Sequence, residues 1–237
     1  MSSQMLYEGK AKKIFKTEDP STLLVRYKDD ATAFNGKKKA VIPGKGRLNN
    51  LISSKLFDVL NRKGINNHFV KRLSDNEQLV KAVEIIPLEV VVRNIAAGSL
   101  SRRLGIEEGT PLKRSIIEFY FKDDALGDPM INDDHIRMMD IADDSDLVQI
   151  RQTAQDVNRV LKEIFDGIGV LLVDFKLEFG KLKSNGGIVL ADEISPDTCR
   201  LWDKATHEKL DKDVFRQDIG DLPQVYEKLL ERLEDAQ

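Results

Sequence analysis

One cysteine, three histidines and an aromatic content of 6% leave several chemistries without material in this chain of 237 residues. A lone Cys199 excludes an internal disulfide framework and any cysteine-based zinc site, and nothing around it marks a catalytic thiol. His68 has no second ligand spaced to join it and reads as structural. His135 reads as a loop residue, and His207, set among charges, as solvated. No apolar run approaches the ~20 residues of a membrane helix, and the opening MSSQMLYEGK lacks a signal-peptide core. These absences point to a cytoplasmic protein with no membrane partner. A net charge of −3 with so few aromatics leaves no footprint for nucleic acid. The phosphate loops G-x-x-x-x-G-K-[ST] and G-x-G-x-x-G are also missing, as are internal repeats and low-complexity tracts.

What is present is a soluble composition, 41% hydrophobic and 32% charged, in a chain long enough to bury a large core. Its most informative stretch is LLVDFKLEFG, Leu171 to Gly180, followed by IVLADEISPD, Ile188 to Asp197. Strand alternation puts Asp174, Lys176 and Glu178 on one face and Val173, Phe175, Leu177 and Phe179 on the other. The intervening KLKSNGG predicts a hairpin, and a tip near Asn185 places Glu178 opposite Asp192. Two facing carboxylates need a compensating cation, and Mg²⁺ with its oxygen ligands suits them. A solvated, half-exposed sheet face is the competing reading of the same alternation.

In order from the start, LYEGKAKKIFKTEDPSTLLVRYKD predicts two short strands joined by Glu-Asp-Pro-Ser. Gly9 permits close backbone approach, and Lys10 and Lys12 are expected to project together from a strand beside it. A polyphosphate cradle and a solvated lysine hairpin both fit. The glycine-punctuated stretch Asp29 to Gly46 reads as a loop next to a site, with a short strand around Ala40 to Ile42. Arg47 to Arg62 is an amphipathic helix closed by Gly64. Strands follow at Asn66 to Lys71, Gln78 to Ile86 and Val90 to Val92, the last running into Arg93. Ser99 caps a short helix, and Arg93 with Ser99 fits either a phosphate monoester or an ordinary cap beside a surface arginine. Lys122 ends an aromatic strand before an acidic stretch whose spacing fits no calcium loop. Ser145 caps a long helix with a stripe from Leu147 to Ile164, and Leu222 to Leu233 closes the chain. The pattern changes near Ile86 and Pro87, which suggests two lobes, 1–86 and 87–237, with a cleft between them.

Two stretches, IIPLEVVVRNIAAGS and LVDFKLEFG, resemble the signature segments of the SAICAR synthetase (phosphoribosylaminoimidazole-succinocarboxamide synthase) family. YEGKAKKIF, KDDALGDP and SPDTCRLWDK are similar to that family in the same order, so the resemblance covers nearly the whole chain. It implies an α+β, two-lobed fold related to the nucleotide-binding lobes of kinases and ATP-grasp ligases. It also implies a carbon–nitrogen ligase of purine synthesis that joins carboxyaminoimidazole ribonucleotide to L-aspartate and converts ATP to ADP and phosphate. By resemblance, Gly9, Lys10, Ala11, Lys12 and Lys13 line the nucleotide phosphates, with Lys122 contacting ATP from the second lobe. Glu178 and Asp192 hold Mg²⁺, and Arg93, Ser99 and Arg200 hold the ribotide phosphate. Asp174 and Lys176 lie beside the imidazole and its carboxylate as the residues closest to the chemistry. A homodimer is the assembly the family implies. The lysine-rich stretch at Asp29 to Gly46 has no residue-by-residue counterpart, so the aspartate pocket stays unassigned.

Two other classes compete with the ligase. A small-molecule kinase sharing the nucleotide lobe lacks support from H-R-D or D-F-G segments, which are absent. A non-catalytic nucleotide-binding module sits poorly with the presence of Glu178, Asp192 and the lysines together.

Overall fold

Alternating apolar residues near the start of the chain form a sheet, with one strand more than the two expected there. The computed structural model describes residues 4–34 and 36–235. Asn35, inside the stretch expected to be a loop, and Met1–Ser3, which belong to the signal-peptide reading, lie outside the described residues. Strands β1 (Met5–Glu8), β2 (Lys12–Lys16) and β3 (Thr22–Tyr27) run antiparallel, and β4 (Asp30–Ala33) pairs with β5 (Lys38–Val41) in a separate hairpin. Helix α1 (Lys45–Arg62) begins two residues before the expected Arg47 and buries Leu48, Ile52, Leu56, Phe57 and Leu60. Then β6 (Phe69–Arg72) and β7 (Glu77–Lys81) complete a five-stranded sheet in the order β1-β2-β3-β7-β6.

The second sheet is built on β8 (Val83–Ile95), which is much longer than the predicted Val90 to Val92. It runs unbroken through Ile86 and Pro87, the position where the sequence pattern suggested a boundary. Helix α2 (Gly98–Leu104), β9 (Pro111–Phe121), β10 (Met130–Ile131), α3 (Asp133–Met138) and α4 (Asp144–Gly167) follow. The chain then enters β11 (Val170–Leu182), β12 (Ile188–Ala191), β13 (Cys199–Asp203), α5 (Asp213–Gln217) and α6 (Leu222–Asp235). The sheet order is β10-β9-β8-β11-β12, and β13 also pairs with β11. Antiparallel sheets with helices packed on them make the fold α+β, as expected. No helix among the described residues is long and apolar enough to cross a membrane.

The main core lies where α4 covers one face of the second sheet, and it continues into α1, which packs on β3, β6 and β7 of the first sheet and on α6. Leu147, Ile150, Ala154, Val157, Leu161 and Phe165 of α4 pack there with Val90, Val92, Phe175, Leu177 and Phe179. Each large apolar side chain buried in this way contributes roughly 1.5–3 kcal/mol, so this stripe rather than helix propensity holds α4 in place. The helix is capped by Asp143, whose carboxylate accepts from Asp146 N at 2.8 Å, not by Ser145. A full negative charge suits the positive end of the helix better than a hydroxyl. Likewise Ala97, with its extended backbone, and not Ser99 occupies the cap of α2; Ser99 lies inside the helix, where its hydroxyl accepts from Arg93.

Two details of the central strand differ from the alternation read in the sequence. Val173 does not share the core face of Phe175; it packs with Ala97 and Trp202 in a separate cluster. The cause is a bulge against β13 between Leu172 and Asp174, which shifts the phase of the strand by one residue. The hairpin register also moves. Lys181 pairs with Ile188 and Glu178 with Ala191, so the turn centres between Ser184 and Asn185, and Asp192 lies just beyond its expected partner.

Candidate active site

Because β11 is central, its charged face has neighbours on both sides, and it forms the floor of a cleft between the two sheets with a volume of about 720 Å³. This is not the solvated face that alternation alone permits. Glu178 is 2% exposed, and its β8 neighbour is Glu89. Lys176 bridges the pair, donating to Glu89 Oε1 at 2.8 Å and Glu178 Oε1 at 2.6 Å. The other Glu178 oxygen accepts from Lys122. Burial works against the Lys176 ammonium, but Glu178, Asp192 and Glu89 outweigh it and hold its pKa above the ordinary lysine value.

One end of the cleft is lined by apolar side chains of the first sheet, among them Ile14, Leu23, Val25 and Val80. Gly9, Lys10 and Ala11 form the β1–β2 turn beside them, and Lys10 reaches Asp124 at 2.6 Å. Lys12, on β2, pairs with Asp192 and with Glu193 Oε1, the latter at 3.0 Å. Lys10 and Lys12 therefore do not project together from one strand. Lys13 does not line the cleft: alternation turns it away from Lys12, and it pairs with Glu8 at 3.5 Å. Asp192 follows β12 with a left-handed φ of 59°. Burial pushes its pKa up, yet Lys12, Lys176 and Lys122 together carry it well below the ordinary aspartate value. Glu178 and Asp192 thus point hard oxygen donors into the same cluster of ammonium groups without facing each other in register.

The other end is rich in arginine. Register places Asp174 directly between Arg93 on β8 and Arg200 on β13. Arg93 Nη1 donates to Asp174 Oδ2 at 2.8 Å, Arg200 Nη1 reaches the same oxygen at 2.9 Å, and Arg93 Nη2 donates to Ser99 Oγ at 2.9 Å. Burial pushes the Asp174 carboxyl up, and the charges of Arg200 and Arg93 work against it. Gly98 has φ +55°, and a Cβ there would lie 2.7 Å from Arg200 Nη2. The guanidinium cannot easily yield, because Asp174 and Asp213 hold it. Gly98→Ala is expected to destabilise the fold by about 1–3 kcal/mol. Urea denaturation checks the effect; wild-type stability in the variant would mean that Arg200 is freer than its contacts imply.

Several lining residues carry no distinguishing signal in the sequence. Glu89, Glu193, Lys212 and Arg216 all line the cleft. Arg216 Nη1 donates to Asp213 Oδ1 at 2.6 Å, beside Arg200, which donates to Oδ2 at 2.9 Å. Only the i, i+4 spacing of Lys212 and Arg216 hinted that they share a face. His68 also lines the cleft, edge-on to Phe57 at 5.3 Å, and burial pushes its pKa down to about 4, so it is neutral at pH 7. Cys199 is buried, which pushes its thiol up and leaves it inert. Among the described residues no group of three or more His, Cys, Asp or Glu side chains is arranged as a metal cage.

The SAICAR synthetase family profile matches residues 5–233. A phosphoribosylaminoimidazole-succinocarboxamide synthase of Bacillus subtilis (strain 168) is 60% identical over 233 residues, which is 98% of this chain and 96% of that protein. One of Listeria innocua serovar 6a is 57% identical over 100% of both chains. In three dimensions, the crystal structure of the synthase from Ehrlichia chaffeensis matches with a TM-score of 0.96 at 48% identity, covering 98% of each chain. A SAICAR synthetase in complex with ADP matches with a TM-score of 0.93 at 49% identity, covering 97% of each chain. Alike in sequence along nearly its whole length and alike in fold, the chain belongs to the SAICAR synthetase family.

Proposed function

We propose that the protein joins carboxyaminoimidazole ribonucleotide to L-aspartate, converting ATP to ADP and phosphate and releasing SAICAR for purine synthesis in the cytoplasm. The observation that carries this reading is a cleft with three zones in succession: apolar residues and lysines, then Glu178, Lys176 and Lys122, then Arg93, Asp174 and Arg200. The first zone suits a nucleotide base and its phosphates, and the last suits a phosphate monoester. ATP lies mainly against the first sheet, which ends at Lys81 and not at residue 86, with Lys122 reaching its phosphates from the second sheet, and the ribotide lies against the second sheet, which begins at Val83. A homodimer is the proposed assembly.

Glu178 and Asp192 would hold Mg²⁺. Their hard oxygens fit that ion, which takes one or two carboxylates together with phosphate oxygens and water, and ammonium groups now balance both side chains. When bound, the ion supplies charge neutralisation and orientation to the phosphate oxygens. Lys12 and Lys122 release their carboxylate partners and turn to the phosphates, while Lys176 screens the ribotide carboxylate from the approaching nucleotide. That carboxylate takes the terminal phosphoryl group, and the acyl phosphate gives the aspartate amine a leaving group to displace. Positioning and electrostatics supply most of the acceleration; no covalent enzyme nucleophile is needed.

The test is phosphate release by purified protein with Mg-ATP and carboxyaminoimidazole ribonucleotide, with aspartate added or omitted, alongside absorbance of the amide product. Equal amounts of phosphate and amide, seen only with all three substrates, are expected. Phosphate without amide would identify a kinase or uncoupled ATPase instead, and nucleotide binding without turnover a sensing module.

A further inference from the structure

The arginine end of the cleft depends on a residue that does not face it. Asp211 is fully buried, at 0% exposure, in the segment between β13 and α5. Its Oδ2 accepts from the Leu201 backbone N–H at 2.8 Å, and its Oδ1 from that of Asp213 at 2.7 Å. The first donor belongs to the residue after Arg200. The second belongs to the residue whose carboxylate holds Arg200 Nε at 2.9 Å and Arg216 Nη1 at 2.6 Å.

We propose that Asp211 is a positioning residue for the phosphate end of the cleft: by fastening the backbones of Leu201 and Asp213 it sets the separation of Arg200 and Arg216. The inference rests on the ribotide phosphate being bound there. The strand and the turn are also tied by Leu210 N to Leu201 O at 2.7 Å, so the general course of the chain survives without Asp211. What Asp211 adds is the local setting of two adjacent N–H groups. A carboxylate is an unfavourable choice for a merely structural bond here. Burial and the charge of Asp213 push its pKa up to about 7, against the pull of the two backbone N–H groups and Arg216. A neutral amide would avoid that penalty but has only one oxygen, and its NH₂ would confront the second N–H donor. Only the carboxylate satisfies both donors, and its charge also favours the Arg200 guanidinium.

The experiment is steady-state kinetics of Asp211→Asn, with each substrate varied in turn, beside calorimetric titration with ribose 5-phosphate and with Mg-ADP. Asn is expected to raise KM for the ribotide about tenfold or more while KM for ATP and the Mg-ADP affinity stay within about twofold. Asp211→Glu, which keeps both oxygens, recovers part of the ribotide affinity; it also serves if the Asn variant fails to fold, with the same selective weakening expected in milder form. Equal weakening toward both ligands, or an unchanged ribotide KM, would overturn the proposal. Arg200→Ala separates the two layers of inference. If it leaves ribotide KM unchanged, the phosphate-end reading itself fails. If it raises KM while Asp211→Asn does not, only the role of Asp211 fails.

Discussion

Glutamine in place of Glu178 is expected to lower kcat by about a thousandfold or more. Glu178 is 2% exposed on the central strand, and each of its oxygens accepts from an ammonium group, Lys176 at one and Lys122 at the other. Glutamine keeps the volume but turns one acceptor into a donor that meets a cation. It also removes one of the two anionic oxygen donors proposed for Mg²⁺. Lys176 keeps Glu89 at 2.8 Å, and Lys122, whose side chain is 40% exposed, exchanges its lost carboxylate for solvent, so the fold persists. Turnover, the Mg²⁺ concentration giving half-maximal rate, and the thermal midpoint should be measured together. A large fall in kcat with a raised Mg²⁺ requirement and a nearly unchanged midpoint is the expected set. Wild-type turnover would remove Glu178 from the metal site.

The second large effect concerns stability. Lys45, at the start of α1, is 0% exposed and donates to Asp197 Oδ2 at 2.7 Å. The Asp197 side chain is itself only 4% exposed; it also meets Lys212 at 3.3 Å and accepts from the Tyr226 hydroxyl at 2.7 Å. Removing one partner of a buried pair leaves the other charge under-compensated, and Lys45→Met is expected to cost about 3–5 kcal/mol. The effect has a pH signature. Burial pushes the Asp197 carboxyl up, but Lys45 and Lys212 outweigh it and hold its pKa below the ordinary 3.8. A depressed carboxyl contributes its stability in full above that ordinary value and loses it as the pH falls through the folded one. The gap between wild type and variant in urea denaturation should therefore be widest near neutrality and narrow below about pH 4. A gap that does not change with pH would mean that the loss of packing, not of charge, explains the destabilisation.

The sequence revealed periodicity and failed at phase. The stripes of α1 and α4 and the core face from Phe175 to Phe179 were legible because burial on one face imposes a repeat. Val173 was misplaced because a bulge is a local slip that leaves no compositional trace. The facing pair Glu178 and Asp192 was lost to a turn centred half a residue earlier than assumed. Both residues still enter the same cluster, since Asp192 turns back toward Lys12. Glu89 was invisible for a different reason: its neighbour across the sheet lies far along the chain, and no single segment records that pairing. The cap of α4 was ambiguous because Asp143 and Ser145 are both good caps, and only the backbone decides between them.

The position of Lys176 binds activity to folding. Glu89 and Glu178 stand opposite each other on the two central strands, a juxtaposition that by itself pushes the strands apart, and the ammonium between them makes it tolerable. The side chain proposed to steady the reacting anions is also the one that lets the sheet carry two acidic residues at its centre. A substitution at this position damages both properties together, so drift that trades activity for robustness is closed to it.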